Sequence, residues 1–176
     1  MHAGNVPRRN DEAEQSARAR DEAVRYLAAR SRTVAEVRQR LLRRGYAPAL
    51  VDDAVGELVR LKLLDDEATA RSWLQWAMRT RPVGAARAAR ELRRRGIAAE
   101  IVQRVVDQSA AELDAETRIA ALLRRQRWRY ASLDRDAARR RMLAFLARRG
   151  YDQEASWKAV EQVWGEWQRD ESERNP

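Results

Sequence analysis

The chain has 176 residues, 44% of them hydrophobic, so it can build a core; its 36% charged residues, interspersed with single aliphatics, suit several thin helical layers better than one thick globule. Cysteine is absent, which excludes disulfides, thiolate zinc sites and cysteine nucleophiles. Arginine and lysine outnumber the acids 36 to 27, and a net charge of +9 with a pI near 10.9 directs attention to polyanionic partners such as nucleic acid.

Residues 1–16 hold Gly4, Pro7 and Asn10 without apolar periodicity and are expected to be a disordered tail; residues 169–176 read as a polar tail. Everything between is expected to be helix. Alanine, leucine, arginine and glutamate dominate, and no alternation of β-branched residues reaches the length of a strand.

An internal repeat organises this helical stretch. It is marked by Leu41-Leu42-Arg43-Arg44-Gly45-Tyr46, Leu92-Arg93-Arg94-Arg95-Gly96-Ile97 and Leu146-Ala147-Arg148-Arg149-Gly150-Tyr151. A period of roughly 50 residues accommodates three short helices. The predicted fold is therefore all-α, an elongated array of three tandem three-helix repeats over residues 17–64, 65–111 and 112–168. Each glycine follows basic residues and precedes an apolar one, the pattern of a helix C-terminus that needs positive φ, so Gly45, Gly96 and Gly150 are predicted repeat turns.

In the first repeat Thr33 and Glu36 match a capping box for a helix to about Arg44, and Pro48 suits the first turn of the next. That next helix presents Leu50, Val51, Ala54, Val55 and Leu58 on one face. The second repeat begins near Asp65 with Trp73, Leu74, Ala77 and Met78 as a core stripe. Pro82 is expected to open its middle helix, and Ile101, Val102, Val105 and Val106 repeat the apolar pattern after the glycine. In the third, Ile119, Leu122 and Leu123 lead to Met142, Phe145 and Leu146, and the last helix carries Trp157, Val160, Trp164 and Trp167. Packing within or between repeats is the expected role of those tryptophans.

Little in the chain suggests chemistry. His2, the single histidine, lies in the expected tail, so no triad or histidine metal site can be assembled. Asp52-Asp53 and Asp65-Asp66-Glu67 read as helix-terminal or solvated acids before they read as Mg²⁺ ligands. No glycine-rich phosphate loop is present. The expectation is a non-enzyme without metal or cofactor, and, for want of an apolar run of about 18 residues or a secretory signal, a cytoplasmic protein without a membrane partner. Nothing like a coiled-coil seam asks for a dimer, so a monomer is expected.

The positive charge is segregated. From Arg118 to Arg149 there are eleven arginines against Asp134 and Asp136, whereas Asp152 to Pro176 holds seven acids against Lys158, Arg169 and Arg174. The middle helix of each repeat is basic, and the helix after its glycine carries acids in the first and third repeats. A DNA-reading helix-turn-helix would place that acidic helix in the major groove against phosphates. The candidate contacts with DNA or an acidic surface are Arg87, Arg90, Arg94, Arg124, Arg125, Arg139, Arg140 and Arg148.

Three strings together resemble the RecX family of bacterial recombination regulators. They are Ala23-Val24-Arg25-Tyr26-Leu27 through Arg44-Gly45-Tyr46; Leu63-Leu64-Asp65-Asp66-Glu67 with Ala70, Trp73 and Arg79, continuing to Arg95-Gly96-Ile97; and Phe145-Leu146-Ala147-Arg148-Arg149-Gly150-Tyr151. The resemblance implies a non-catalytic partner of the RecA recombinase filament and of single-stranded DNA, met directly or through that filament. It implies an effect on filament growth, ATP hydrolysis and strand exchange, most readily inhibition. The alternatives are a helix-turn-helix transcription regulator and a helical scaffold for an acidic protein.

Overall fold

Three glycines in the left-handed region, Gly45 at φ 88°, Gly96 at 80° and Gly150 at 75°, end the middle helices of the repeats. Each termination uses the same two hydrogen bonds. The N–H after the glycine donates back to the carbonyl five residues earlier, at 3.3 Å for Tyr46 to Leu41, Ile97 to Leu92 and Tyr151 to Leu146. The glycine N–H closes the inner ring onto Leu42, Arg93 or Ala147. Only a residue without Cβ enters this αL position without strain, so the repeated Arg-Gly punctuation sets where each helix stops.

The structure, a computed structural model, describes the backbone of residues 6–174 and the side chains of 11–173. The helices are α1 (Val6–Ala28), α2 (Val34–Arg43), α3 (Pro48–Arg60), α4 (Asp66–Thr80), α5 (Ala85–Arg94), α6 (Ala99–Leu113), α7 (Glu116–Arg124), α8 (Arg135–Arg148) and α9 (Gln153–Arg174), with a single 3₁₀ turn at Arg127–Arg129. No strand occurs among the described residues. The protein is all-α and built from tandem three-helix repeats, and its chain divides into two compact units. One contains residues up to Ser72 with Leu92–Ile101, the other Trp73–Glu91 with the chain from Val102 onward.

In the first unit α1, α2 and α3 pack around Ala19, Ala23, Val37, Leu41, Val51, Ala54, Val55 and Leu58. The capping box at α2 forms as expected: Glu36 N donates to Thr33 Oγ1 and Thr33 N to Glu36 Oε2, both at 3.1 Å. Pro48 is the first residue of α3, where its missing N–H has no helical partner to lose. Of the predicted α3 face, Leu50 is only half-buried.

The second unit has its core where α7, α8 and α9 meet, among them Ile119, Leu123, Met142, Phe145, Leu146, Val160, Val163 and Trp167. Trp167 stacks on Tyr130 with ring centroids 6.3 Å apart and meets Trp164 edge to face. Trp157 departs from the expectation of core packing: it is exposed, with the Arg139 guanidinium 5.1 Å from its ring centre.

Three boundaries differ from the sequence reading. The expected disordered tail is helical from Val6, residues 1–5 lying outside the described region; alanine, glutamate and arginine favour helix there, and Glu14 pairs with Arg18 one turn on. The expected C-terminal tail is helical to Arg174 as the last turns of α9, leaving only residues 175–176 outside the description. Pro82 does not open α5, which begins at Ala85. The N–H groups of Gly84 and Ala86 are bound by Arg149 O (3.0 Å) and Gly150 O (3.1 Å), which holds the preceding residues in a loop.

Candidate polyanion-binding cleft

Whether an arginine is available to a ligand depends on which carboxylates reach it first. On α2 they reach most of them: Arg40 forks onto Glu22 through Nε (3.0 Å) and Nη2 (2.8 Å), Arg44 joins the same carboxylate at 3.3 Å, and Arg38 pairs with Asp52. The Arg40 hydrogen bond, against the opposing effect of burial and helped by Arg44, holds the Glu22 carboxyl below its ordinary value. The basic face of the first middle helix is thus largely neutralised by α1 and α3.

The second unit is different. The loop leaving α4 carries Arg81, whose guanidinium lies 4.6 Å from the ring centre of Trp76 and 5.4 Å from that of Trp73. Arg81, Arg87 and Arg149 line one cavity together with Trp73 and Glu91. A neighbouring hollow shares Arg81 and adds Arg79, Arg118, Arg125 and Tyr151. Arg118 is anchored there by donating to Met78 O at 3.0 Å.

Arg149 is half-buried, with its guanidinium 3.7 Å from the centre of the Phe145 ring. Burial, and after it the nearby positive Arg87, lower its proton affinity from the ordinary arginine value. Among the described residues no carboxylate is ion-paired with Arg79, Arg81, Arg87, Arg118, Arg125 or Arg149. A cleft lined by three planar guanidinium groups against one carboxylate, Glu91, with the Trp73 ring beside them, is chemically suited to phosphate and to flat π systems.

The candidate contacts named from sequence fall into different settings. Arg87 and Arg125 line the cleft and its neighbour. Arg90 and Arg94 are exposed farther along α5, Arg94 with an interaction of its own. Arg124 is committed elsewhere, forking onto Glu166 through Nε (2.8 Å) and Nη2 (2.7 Å), a bond that raises its proton affinity. Arg139 pairs with Asp136 at 3.2 Å beneath its contact with Trp157. Arg140 and Arg148 are exposed, and Arg148 borders a further hollow with Arg129, Arg141 and Phe145.

Arg79, Arg81, Arg118, Arg149, Arg129 and Arg141 were not among the candidate contacts named from sequence, although Arg79 and Arg149 stand in the strings that carry the family resemblance. For Arg149 a signal existed in the repeat: it immediately precedes Gly150, as Arg95 precedes Gly96. Trp128, between Arg127 and Arg129, is 78% exposed, an unusual position for so large an apolar surface. No group of three or more potential metal ligands occurs among the described residues, and His2 lies outside them. No helix among them is long and apolar enough to cross a membrane.

The chain matches three family models: the RecX first three-helix domain over residues 19–58, the second over 65–106 and the third over 114–160. A protein named regulatory protein RecX from Amycolatopsis mediterranei is 31% identical over 144 residues, which cover 80% of each chain. Its namesake from Mycobacterium marinum is 36% identical over 163 residues, covering 88% of this chain and 89% of the relative. The crystal structure of RecX from Lactobacillus salivarius shares the fold, with a TM-score of 0.81 at 18% identity over 86% of this chain and 97% of that one.

Proposed function

Because the chain belongs to the RecX family, we propose that it binds the RecA recombinase filament on single-stranded DNA and restrains its growth, ATP hydrolysis and strand exchange. The observation that carries this reading is the cleft around Arg81, Arg87 and Arg149, whose guanidinium groups have no ion-paired carboxylate among the described residues. Such a surface is satisfied by a polyanion supplied from outside. The acids of α3 and α9 lie on the helices that follow the glycine turns, and Asp52 and Glu154 are exposed there, which favours a backbone contact over insertion of these helices into a major groove.

The test is ATP hydrolysis by the cognate recombinase on single-stranded DNA, titrated with this protein well below one copy per protomer. Inhibition at those ratios, with shortened filaments, supports the reading. Unchanged hydrolysis and filament length would overturn it, and a base-pair preference on duplex DNA would favour a transcription regulator.

A further inference from the structure

Each unit contains one junction in which the glycine turn of a repeat rests on the start of the preceding repeat's middle helix. In the first unit the turn at Gly96 meets the start of α2. Thr33 Oγ1 donates to Arg95 O at 2.7 Å, and Asp66 Oδ1 accepts from Val34 N at 2.9 Å. In the second unit the turn at Gly150 meets the start of α5 in the same manner. Gly84 N donates to Arg149 O, and Asp114 Oδ1 accepts from Ala85 N at 3.3 Å. Counted back from Gly45 and Gly96, Thr33 corresponds to Gly84 and Glu36 to Arg87; Arg95 and Arg149 both stand immediately before a glycine.

The junctions thus share their acceptors, the carbonyl before the glycine and an aspartate, although a side-chain hydroxyl donates to that carbonyl in the first and a backbone N–H in the second; their charges differ. In the first, Glu36 receives both prongs of the Arg95 guanidinium, Nε to Oε1 at 3.1 Å and Nη2 to Oε2 at 3.2 Å. In the second, the position of that carboxylate is taken by Arg87, so two guanidinium groups share the wall of one cavity. Arg149 is half-buried and Arg87 exposed, and neither is ion-paired among the described residues although Glu91 lines the same cavity; a half-buried charge without an ion-pair partner is unfavourable in proportion to its desolvation, so an external anion gains here.

We propose that the cavity between Arg87 and Arg149 binds a backbone phosphate of single-stranded nucleic acid, which fills the part that the Glu36 carboxylate plays in the first junction. A phosphodiester offers two non-bridging oxygens that share one negative charge, one oxygen for each guanidinium. The surroundings favour a repeating polyanion over a single acidic side chain. Arg79, Arg118 and Arg125 continue the positive surface into the adjoining hollow, and Trp76, 45% exposed with Arg81 over its ring, adds aromatic surface beside it.

This deepens the proposed function by naming the group the cleft takes. It is tested without any recombinase, so the two readings fail separately. The measurement is fluorescence anisotropy of a labelled oligothymidylate with the full-length chain over a range of salt. Arg87→Glu places a carboxylate beside Arg149 as Glu36 stands beside Arg95, and Arg60→Glu, on α3 in the first unit, carries the same change of net charge.

The expected result is an affinity loss of about tenfold or more for Arg87→Glu, with a salt slope shallower by about one or two. Arg60→Glu is expected to lose much less. The melting temperature of Arg87→Glu is expected not to fall, because the introduced carboxylate neutralises Arg149. If that variant does not fold, Arg87→Gln supplies the same affinity readout. Equal losses for both charge reversals, or unchanged binding by the Arg87 variants, would overturn the proposal.

Discussion

Glu36 and Arg95 meet in a two-pronged ion pair in which the carboxylate is 21% and the guanidinium 18% exposed. The pair ties the first turn of α2 to the end of α5 within one compact unit, and Glu36 also accepts the N–H of Thr33. Removing one side strands the other in a half-desolvated place. Arg95→Ala is expected to cost about 1–3 kcal/mol, read as a lower urea midpoint with an unchanged m value.

The same pair predicts a pH dependence. Burial opposes ionisation of Glu36, but the Arg95 hydrogen bond and the Thr33 N–H outweigh it and hold the carboxyl below its ordinary value of 4.5. A lowered carboxyl contributes stability in full above its unfolded value and loses it as pH falls through the native one. The stability difference between the protein and Glu36→Gln is therefore expected to shrink from about pH 6 to about pH 3. A difference that stays constant or grows toward acid would contradict this.

The glycine turns are expected to differ in their tolerance of a methyl group. At Gly45 a Cβ meets nothing within 4 Å, so Gly45→Ala is expected to cost only the strain of positive φ, about 1 kcal/mol. At Gly150 it would stand 2.3 Å from Arg87 N and 2.7 Å from Arg87 Cβ. Gly150→Ala is expected to cost about 3 kcal/mol or more, because the turn and α5 must move apart. Thermal or urea unfolding of the two variants side by side checks the order.

Arg124 and Arg148 look alike in sequence but differ in structure. Arg124 is held by Glu166, whereas among the described residues no carboxylate pairs with Arg148. Replacing either by alanine removes one positive charge. Arg148→Ala is expected to reduce the salt slope of oligonucleotide binding by about one, and Arg124→Ala to leave it nearly unchanged.

Trp128 stands 78% exposed beside Arg129, whose guanidinium lies 5.9 Å from its ring centre. Truncation to alanine removes little buried surface, so the unfolding free energy is expected to change by less than about 0.5 kcal/mol. Affinity for oligothymidylate is expected to fall about threefold or more, with no fall for an abasic strand of equal length. Equal losses on both strands would rule out stacking on a base.

The repeat, the helix ends and most of the core faces were legible in the sequence because they rest on interactions between near neighbours. A glycine that must take positive φ, a threonine that caps a residue three places on and a stripe of valines on one helix face are visible in a window of a dozen residues. Leu50 and Trp157 were misjudged for the converse reason. Helical periodicity shows which face is apolar but not how far a neighbouring helix covers it.

The candidate contacts were only partly legible. Arginines were readable as a basic population, but their pairing was not, since Arg40 meets a carboxylate 18 residues away, Arg124 one 42 away and Arg95 one 59 away. By itself the sequence determined an all-α protein of tandem repeats, the glycines that divide it, the family it resembles and its excess of positive charge, because these follow from composition and local spacing. Tertiary structure alone decided which charges remain unneutralised, turning Arg149, a residue like its neighbours in the string, into one wall of a cleft with Arg87. Coulombic attraction acts through space and falls with distance and solvent, so the fate of each guanidinium is set by whichever acid the fold brings near.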